Sequence, residues 1–407
     1  MAAGTFLHGA QVIDIDDGVN TITTVATSII GLVGTAPNAD PLAFPLNTPV
    51  VVSGSATLAA KLTSLTPAVG VDFGTLPGAM QDIFDNIGAV VVVVRVAAGI
   101  TDTATETNII GAALADGTFT GIQALAHAES TLGYKPRILI APGYTHQKAA
   151  DPVNVGMFLA NPVVAALNVM AGRLRAVALI DGSNTTNADA FTRATDFDSK
   201  RLFLIDPWIT VLDTLSAAYV TRPASASTAG LIAATDNSLG YWRSPSNQPM
   251  PAVLGLGRPI DFVMGDATST ANLLNAQNIT TIVRNQGYRL WGNRTLSSES
   301  KWAFLCVVRV ADILADSIVA AMLWAVDRNI TKNYVTLVVE EVNNYIRGMV
   351  TDGAIIGGSC WCDPDLNPAD SVAAGDMFFD FEFTPAYPAE DVTFRSHLTD
   401  KYVSEIF

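Results

Sequence analysis

Two aspartates stand where an α/β enzyme would place an acid. Asp181 and Asp206 each directly follow an apolar run, in "RAVALIDG" (175–182) and "RLFLIDP" (201–207). Open α/β sheets bind their ligands at the carboxyl ends of such strands. The plainer reading is that Asp-Gly and Asp-Pro are turn signals. The segment "GLVGTAP" (31–37) is glycine-rich and follows a strand-like run, but it lacks the G-x-G-x-x-G spacing. There is no Walker sequence and no G-x-S-x-G elbow. His8, His127, His146 and His397 are dispersed, without metal-ligand spacing. Cys306, Cys360 and Cys362 are too few and too uneven for a disulfide framework, and Cys-Trp-Cys has no second pair or nearby histidine to complete a zinc site. These residues point to no catalytic, cofactor or metal site.

Another kind of chemistry gathers in "RNQGYRLWGNRTLSSESKW" (284–302). Arg284, Arg289, Arg294 and Lys301 face one acid, Glu299, and Tyr288, Trp291 and Trp302 lie among them. Basic residues between aromatics can stack bases and hold phosphates. The whole chain opposes that use: it has 38 Asp+Glu against 23 Lys+Arg and a net charge of −15, whereas non-specific nucleic-acid binding needs a basic surface. The alternative is a strand with Tyr288 and Leu290 on one face and Arg289 and Trp291 on the other, ending in a turn at Gly292-Asn293. Its arginines and aromatics are then of the types enriched at protein interfaces.

The chain must position these groups with 407 residues, enough for two domains or one large domain with an insertion. It is 49% hydrophobic and 15% charged, more apolar than a typical soluble domain, which points to a subunit buried in an assembly. The N-terminus has no basic region followed by a long apolar one, so no secretory signal is expected. The longest apolar stretch, 87–100, is interrupted by Arg95 and too short to span a bilayer.

From about 27 to 206, continuous apolar runs at 28–34, 49–54, 90–96, 137–143, 175–182 and 201–207 alternate with helix candidates at about 55–62, 77–87, 107–115, 152–172 and 187–195. Runs without alternation are strands covered on both faces, so this part reads as a doubly wound α/β domain. The texture changes near Met250. Leu314, Ile318, Met322 and Ala325 make one helical stripe, and Val335, Val338, Val342, Tyr345 and Met349 another. Then Met377, Phe379, Phe381 and Phe383 alternate at period two with Phe378, Asp380 and Glu382. Val392, Phe394, Leu398, Tyr402 and Ile406 also alternate with polar neighbours at period two, after the proline-containing spacer 384–391. Near the start, Val12, Ile13 and Ile15 lie in a short strand-like run in the arm 1–19. Terminal strands must pair with something, in their own chain or at a neighbour's sheet edge.

"GYRLWGNRTLSSESKWAF" (287–304) closely resembles the most recognisable segment of contractile-tail sheath proteins, those of temperate phages and R-type pyocins. "SKRLFLIDP" (199–207), "YWRSPSN" (241–247), "RPIDF" (258–262), "ANLLNAQNITTIVR" (271–284), "WAVDRNITKNYV" (324–335) and "DPDLN" (363–367) agree in the expected order, as does the opening "HGAQVIDIDDG" (8–18). The likeness covers nearly the whole chain and is weakest at about 35–80 and 98–135.

The resemblance implies an inner α+β domain built from both chain ends, 1–19 with 251–407, and an inserted outer doubly wound α/β domain, 20–250. It implies a structural subunit, not an enzyme, which stacks as hexameric rings around the tail tube and contracts irreversibly from a metastable array. The implied partners are further copies of itself, the tail tube, baseplate and terminator proteins. Nucleic acid is not a direct partner, and a membrane is met only through contraction. Val12, Ile13, Ile15, Val392, Phe394, Leu398, Tyr402 and Ile406 become linker strands between subunits. The helix at about 311–327 resembles the family's tube-facing helix, so Arg284, Arg289, Arg294, Lys301, Asp312, Asp316 and Asp327 are expected at contacts with neighbours or the tube. The other readings are a nucleotide-binding α/β enzyme, which would be monomeric and bind nucleotide, and a static structural or adhesive virion protein, which would form tubes of one length.

Overall fold

A computed structural model describes residues 22–65, 72–153 and 158–406. The largest element is an eight-stranded sheet. Its strands are Ile30–Thr35 (β1), Pro49–Ser53 (β2), Val90–Val96 (β3), Ile138–Ile140 (β4), Val177–Asp181 (β5), Leu202–Ile205 (β6), Ile279–Arg284 (β7) and Tyr288–Trp291 (β8). They lie in the order β8-β7-β6-β5-β4-β1-β3-β2. The six inner strands are parallel, and β8 and β2 close the edges antiparallel. The six apolar runs of the sequence are the first six of these strands.

The valine run shows why. In β3, Val91 and Val93 enter one core, while Val92, Val94 and Val96 enter the other. Each face of the sheet carries its own apolar layer, so continuous runs are required. Arg95, also in β3, is buried and donates from Nη1 to the Ala36 carbonyl at 3.2 Å. One layer includes the helices Leu76–Phe84 (α1) and Ser225–Leu239 (α3), which pack on each other; Pro162–Leu174 (α2) belongs to the other. At Gly230 in α3, a Cβ would meet the Ile83 carbonyl oxygen of α1 at 2.6 Å, so the two helices approach as closely as only glycine permits.

Backbone contacts divide the chain into two units. Among the described residues, one holds 26–312 with 386–406, and the other holds 22–25 with 313–385. These units divide the chain differently from the expected inner and outer domains, which met at 250/251. Residues 251–312 belong with the large sheet because β7 pairs parallel with β6 and β8 completes the edge. In the smaller unit, helix Lys332–Asp352 (α5) covers a hairpin of Ile355–Trp361 (β9) and Asp380–Pro385 (β10). The expected stripe is there: Val338, Val342, Tyr345 and Met349 are buried. The helix expected at about 311–327 begins earlier, as Leu305–Ala321 (α4), and continues as a 3-10 turn at Met322–Ala325. The unit boundary falls within α4.

The expected strand at 392–406 does not form in this chain. Residues 386–400 have no regular structure, and Lys401–Ile406 make a 3-10 turn. A strand needs a ladder partner, and no described residue pairs there. Val12, Ile13 and Ile15 lie outside the described residues.

Candidate subunit interfaces

The aspartates at the strand ends hold the fold together. Asp181 is fully buried at the start of α3. Its Oδ1 accepts the Ser225 N–H at 2.8 Å, and its Oδ2 accepts the Ser225 and Thr145 hydroxyls at 2.6 and 3.3 Å. A carboxylate at a helix N-terminus offsets the dipole and caps free N–H groups. Burial still raises its pKa to about 6, against the pull of those hydrogen bonds. Asp206, also buried, accepts Arg258 Nε at 2.9 Å, a second bond from Arg258 Nη2, and the Asn184 N–H at 3.0 Å. Burial raises its pKa, and Arg258 opposes the rise. Asp181 is tied to buried donors and Asp206 to half-buried ones, a role the turn reading did not contain.

The crevice where an α/β sheet would hold a ligand is also built. The strand order reverses between β1 and β4. A cavity of about 290 Å³ lies beside them, lined by Gly74, Thr75, Asp82, Pro142, Gly143 and Arg222 among others. Arg222 is committed to Asp82 at 3.2 Å and to Asp213. Asp82 is raised to about 7 by burial, which outweighs Arg222. Among the described residues no group of three His, Cys, Asp or Glu could hold a metal ion. His146 sits edge-on to the Trp208 ring, and His127 packs on Phe119.

The basic-aromatic stretch forms the sheet edge, with the expected faces. Leu290 is buried in the core with Tyr288 packed against it, and Trp291 meets Phe262 at 4.9 Å. Its charges divide. Arg289 donates to the carbonyls of Asn247 (2.7 Å) and Asn285 (3.1 Å). Arg294 grips Glu390. Arg284 and Lys301 are exposed. Of the acids expected to face a partner, Asp312 is buried in an ion pair with Arg201, Asp316 is buried, and Asp327 is exposed. Asp312 and Asp316, four residues apart on α4, are both buried in the single chain. On the same helix Arg309 is buried against Asp236 and donates to the Thr27 carbonyl at 3.1 Å. Its sequence, apolar around a single arginine, carried that signal.

The surfaces left open lie elsewhere. In the C-terminal stretch, Val392, Phe394, Leu398 and Tyr402 are exposed, Phe394 at 91% and Leu398 fully. Large apolar side chains in a row with nothing over them mark an interaction site. The β9–β10 hairpin is a two-stranded sheet with two outer edges, and such a pair is marginal unless something completes it. At Cys360 the Asn343 side chain takes the outward N–H and C=O of β9, at 2.8 and 2.9 Å. Ile356, Trp361 and Phe381 are exposed on the hairpin.

Residues 117–296 match the phage tail sheath protein central domain, and residues 297–399 match the phage tail sheath C-terminal domain. A prophage major tail sheath protein of Pseudomonas aeruginosa is 41% identical, over 99% of both chains. The tail sheath protein of Escherichia phage P2 is 33% identical, over 98% of this chain and 97% of its own. Among solved structures, the sheath complex of an extracellular contractile injection system in its contracted state superposes with a TM-score of 0.68 at 18% identity, covering 98% of this chain and 99% of that one. The contracted helical sheath of the anti-feeding prophage gives 0.66 at 17% identity, covering 97% and 100%. With identity above 30% along its whole length to two named sheath proteins, the chain belongs to the phage tail sheath family.

Proposed function

We propose that this sheath subunit polymerises as stacked hexameric rings around a tail tube and drives the tube through a host envelope by irreversible contraction. No catalytic step is involved: the work comes from rearranging contacts between subunits, and the extended array waits behind a kinetic barrier. The partners are further copies of the chain, the tube protein, the baseplate and the tail terminator, and the protein resides in the virion tail. No described helix is long and apolar enough to cross a membrane. The unit of 22–25 with 313–385 takes the inner, tube-facing role, and Arg284, Lys301 and Asp327 remain the exposed charges for contacts with neighbours or the tube.

The observation that carries this reading is the exposed apolar row from Val392 to Tyr402, on a stretch with period two and no strand partner among the described residues. It suits a strand that pairs with a neighbour's open β9–β10 hairpin. Each backbone hydrogen bond adds about 0.5–1.5 kcal/mol net, and apolar burial adds to it, so a linker can hold while other contacts exchange. A chain ending at Asp391 should fold, remain soluble and build no tubes. Normal tubes from that chain would refute the linker role.

A further inference from the structure

We propose that Arg294 is a positioning residue that clips the root of the C-terminal arm to the body, so that the arm swings from a fixed point just after Glu390. The proposal rests on the reading of 392–406 as a linker. Three contacts converge on the root. Arg294 Nε donates to both Glu390 carboxylate oxygens, at 2.8 and 3.0 Å, and Nη2 adds a further bond to Oε2. The Tyr387 ring meets Phe304 edge-on at 6.4 Å. The Arg294 guanidinium lies 5.5 Å from the same Phe304 ring.

The platform is itself fixed. The Thr295 N–H donates to the Ala303 carbonyl at 2.7 Å, and the Leu305 N–H to the Asn293 carbonyl at 2.9 Å. These bonds close the loop and join Arg294 and Phe304 to the first turn of α4. From Asp391 to Val403 the side chains are exposed. The clip therefore separates a held root from a free arm.

Arg294 and Glu390 are 40% and 38% exposed. Exposed pairs of this kind contribute little to folding stability, but a forked arginine–carboxylate pair fixes direction. At roughly 3.3 Å per extended residue, the stretch 391–407 reaches roughly 55 Å, and freeing the root from 386 onward would add roughly 15 Å. A longer, undirected tether lowers the effective concentration of the arm at its intended edge and admits other edges. Arg294 thus selects the neighbour that the arm reaches.

The test uses full-length Arg294→Glu, Glu390→Arg, the doubly exchanged chain, and the milder Glu390→Gln. Each should melt as wild type. The single variants should assemble with about tenfold lower yield or into tubes without uniform helical order, and the double exchange should restore both yield and order. Single variants that assemble with wild-type yield and order would overturn the proposal, as would a double exchange that melts normally without restoring them. The chain ending at Asp391, run alongside, separates the two ideas. If it builds normal tubes, the linker reading fails; if it builds none while the single variants assemble normally, only the clip fails.

Discussion

The large sheet and the C-terminal arm are both rich in apolar residues, yet one hides them and the other displays them. In β3 every residue from Val91 to Val96 is buried, and the layers on both faces come from the same chain. In the arm, Phe394 and Leu398 meet nothing. Apolar content alone therefore does not locate a core: it must be paired with a partner for each face. The sheet finds its partners within one subunit, whereas the described arm leaves its apolar side chains uncovered.

This contrast predicts that damage to the sheet shows in folding and damage to the arm shows in assembly. The largest loss should follow Asp206→Ala, which removes the buried carboxylate that holds the half-buried Arg258. Breaking one side of such a pair costs about 3–5 kcal/mol, read by denaturant unfolding, and a loss below about 1 kcal/mol would show that the network is dispensable. Leu32→Ala, at a fully buried position of β1, should cost about 2–5 kcal/mol in the same assay.

A smaller effect should depend on pH. Burial holds the Asp82 carboxyl at about 7 against an ordinary 3.8. The folded chain keeps a proton that the unfolded chain releases, so this group removes stability as pH rises from about 4 to about 7. Arg222, Asp85 and Asp213 bear on it electrostatically. Asp82→Asn cannot titrate, so its melting temperature should gain on that of the wild type across this window. A gap that does not change with pH would contradict the assignment. The smallest effect on folding should come from Leu398→Ser, within about 0.5 kcal/mol of wild type, while tube formation falls. The opposite pattern would place Leu398 in a core.

The same contrast explains what the sequence made legible. Strands β1 to β6 were readable because burial on both faces leaves an unbroken apolar signature. Helix α3 was not, because its Ser, Ala and Thr residues are buried nearly all round and show no 3.6 period. β8 was visible as one reading of the basic-aromatic stretch and β7 was not read as a strand at all; their place beside β6 depends on a long-range pairing that periodicity does not encode. The charges were less legible for a related reason: Asp312 and Arg294 have partners 111 and 96 residues away, Arg201 and Glu390, and residue type does not show such long-range pairs within the chain. The arm's period of two is a property of the sequence for which no ladder partner is found among the described residues.

The central claim is that the arm is completed by another subunit. A helical reconstruction of tubes assembled from this chain tests it most directly. The account predicts residues from Val392 onward as a strand hydrogen-bonded to the β9–β10 hairpin of a neighbouring subunit, with Phe394 and Leu398 covered. An arm folded back on its own subunit, or left unpaired in an ordered tube, would contradict it.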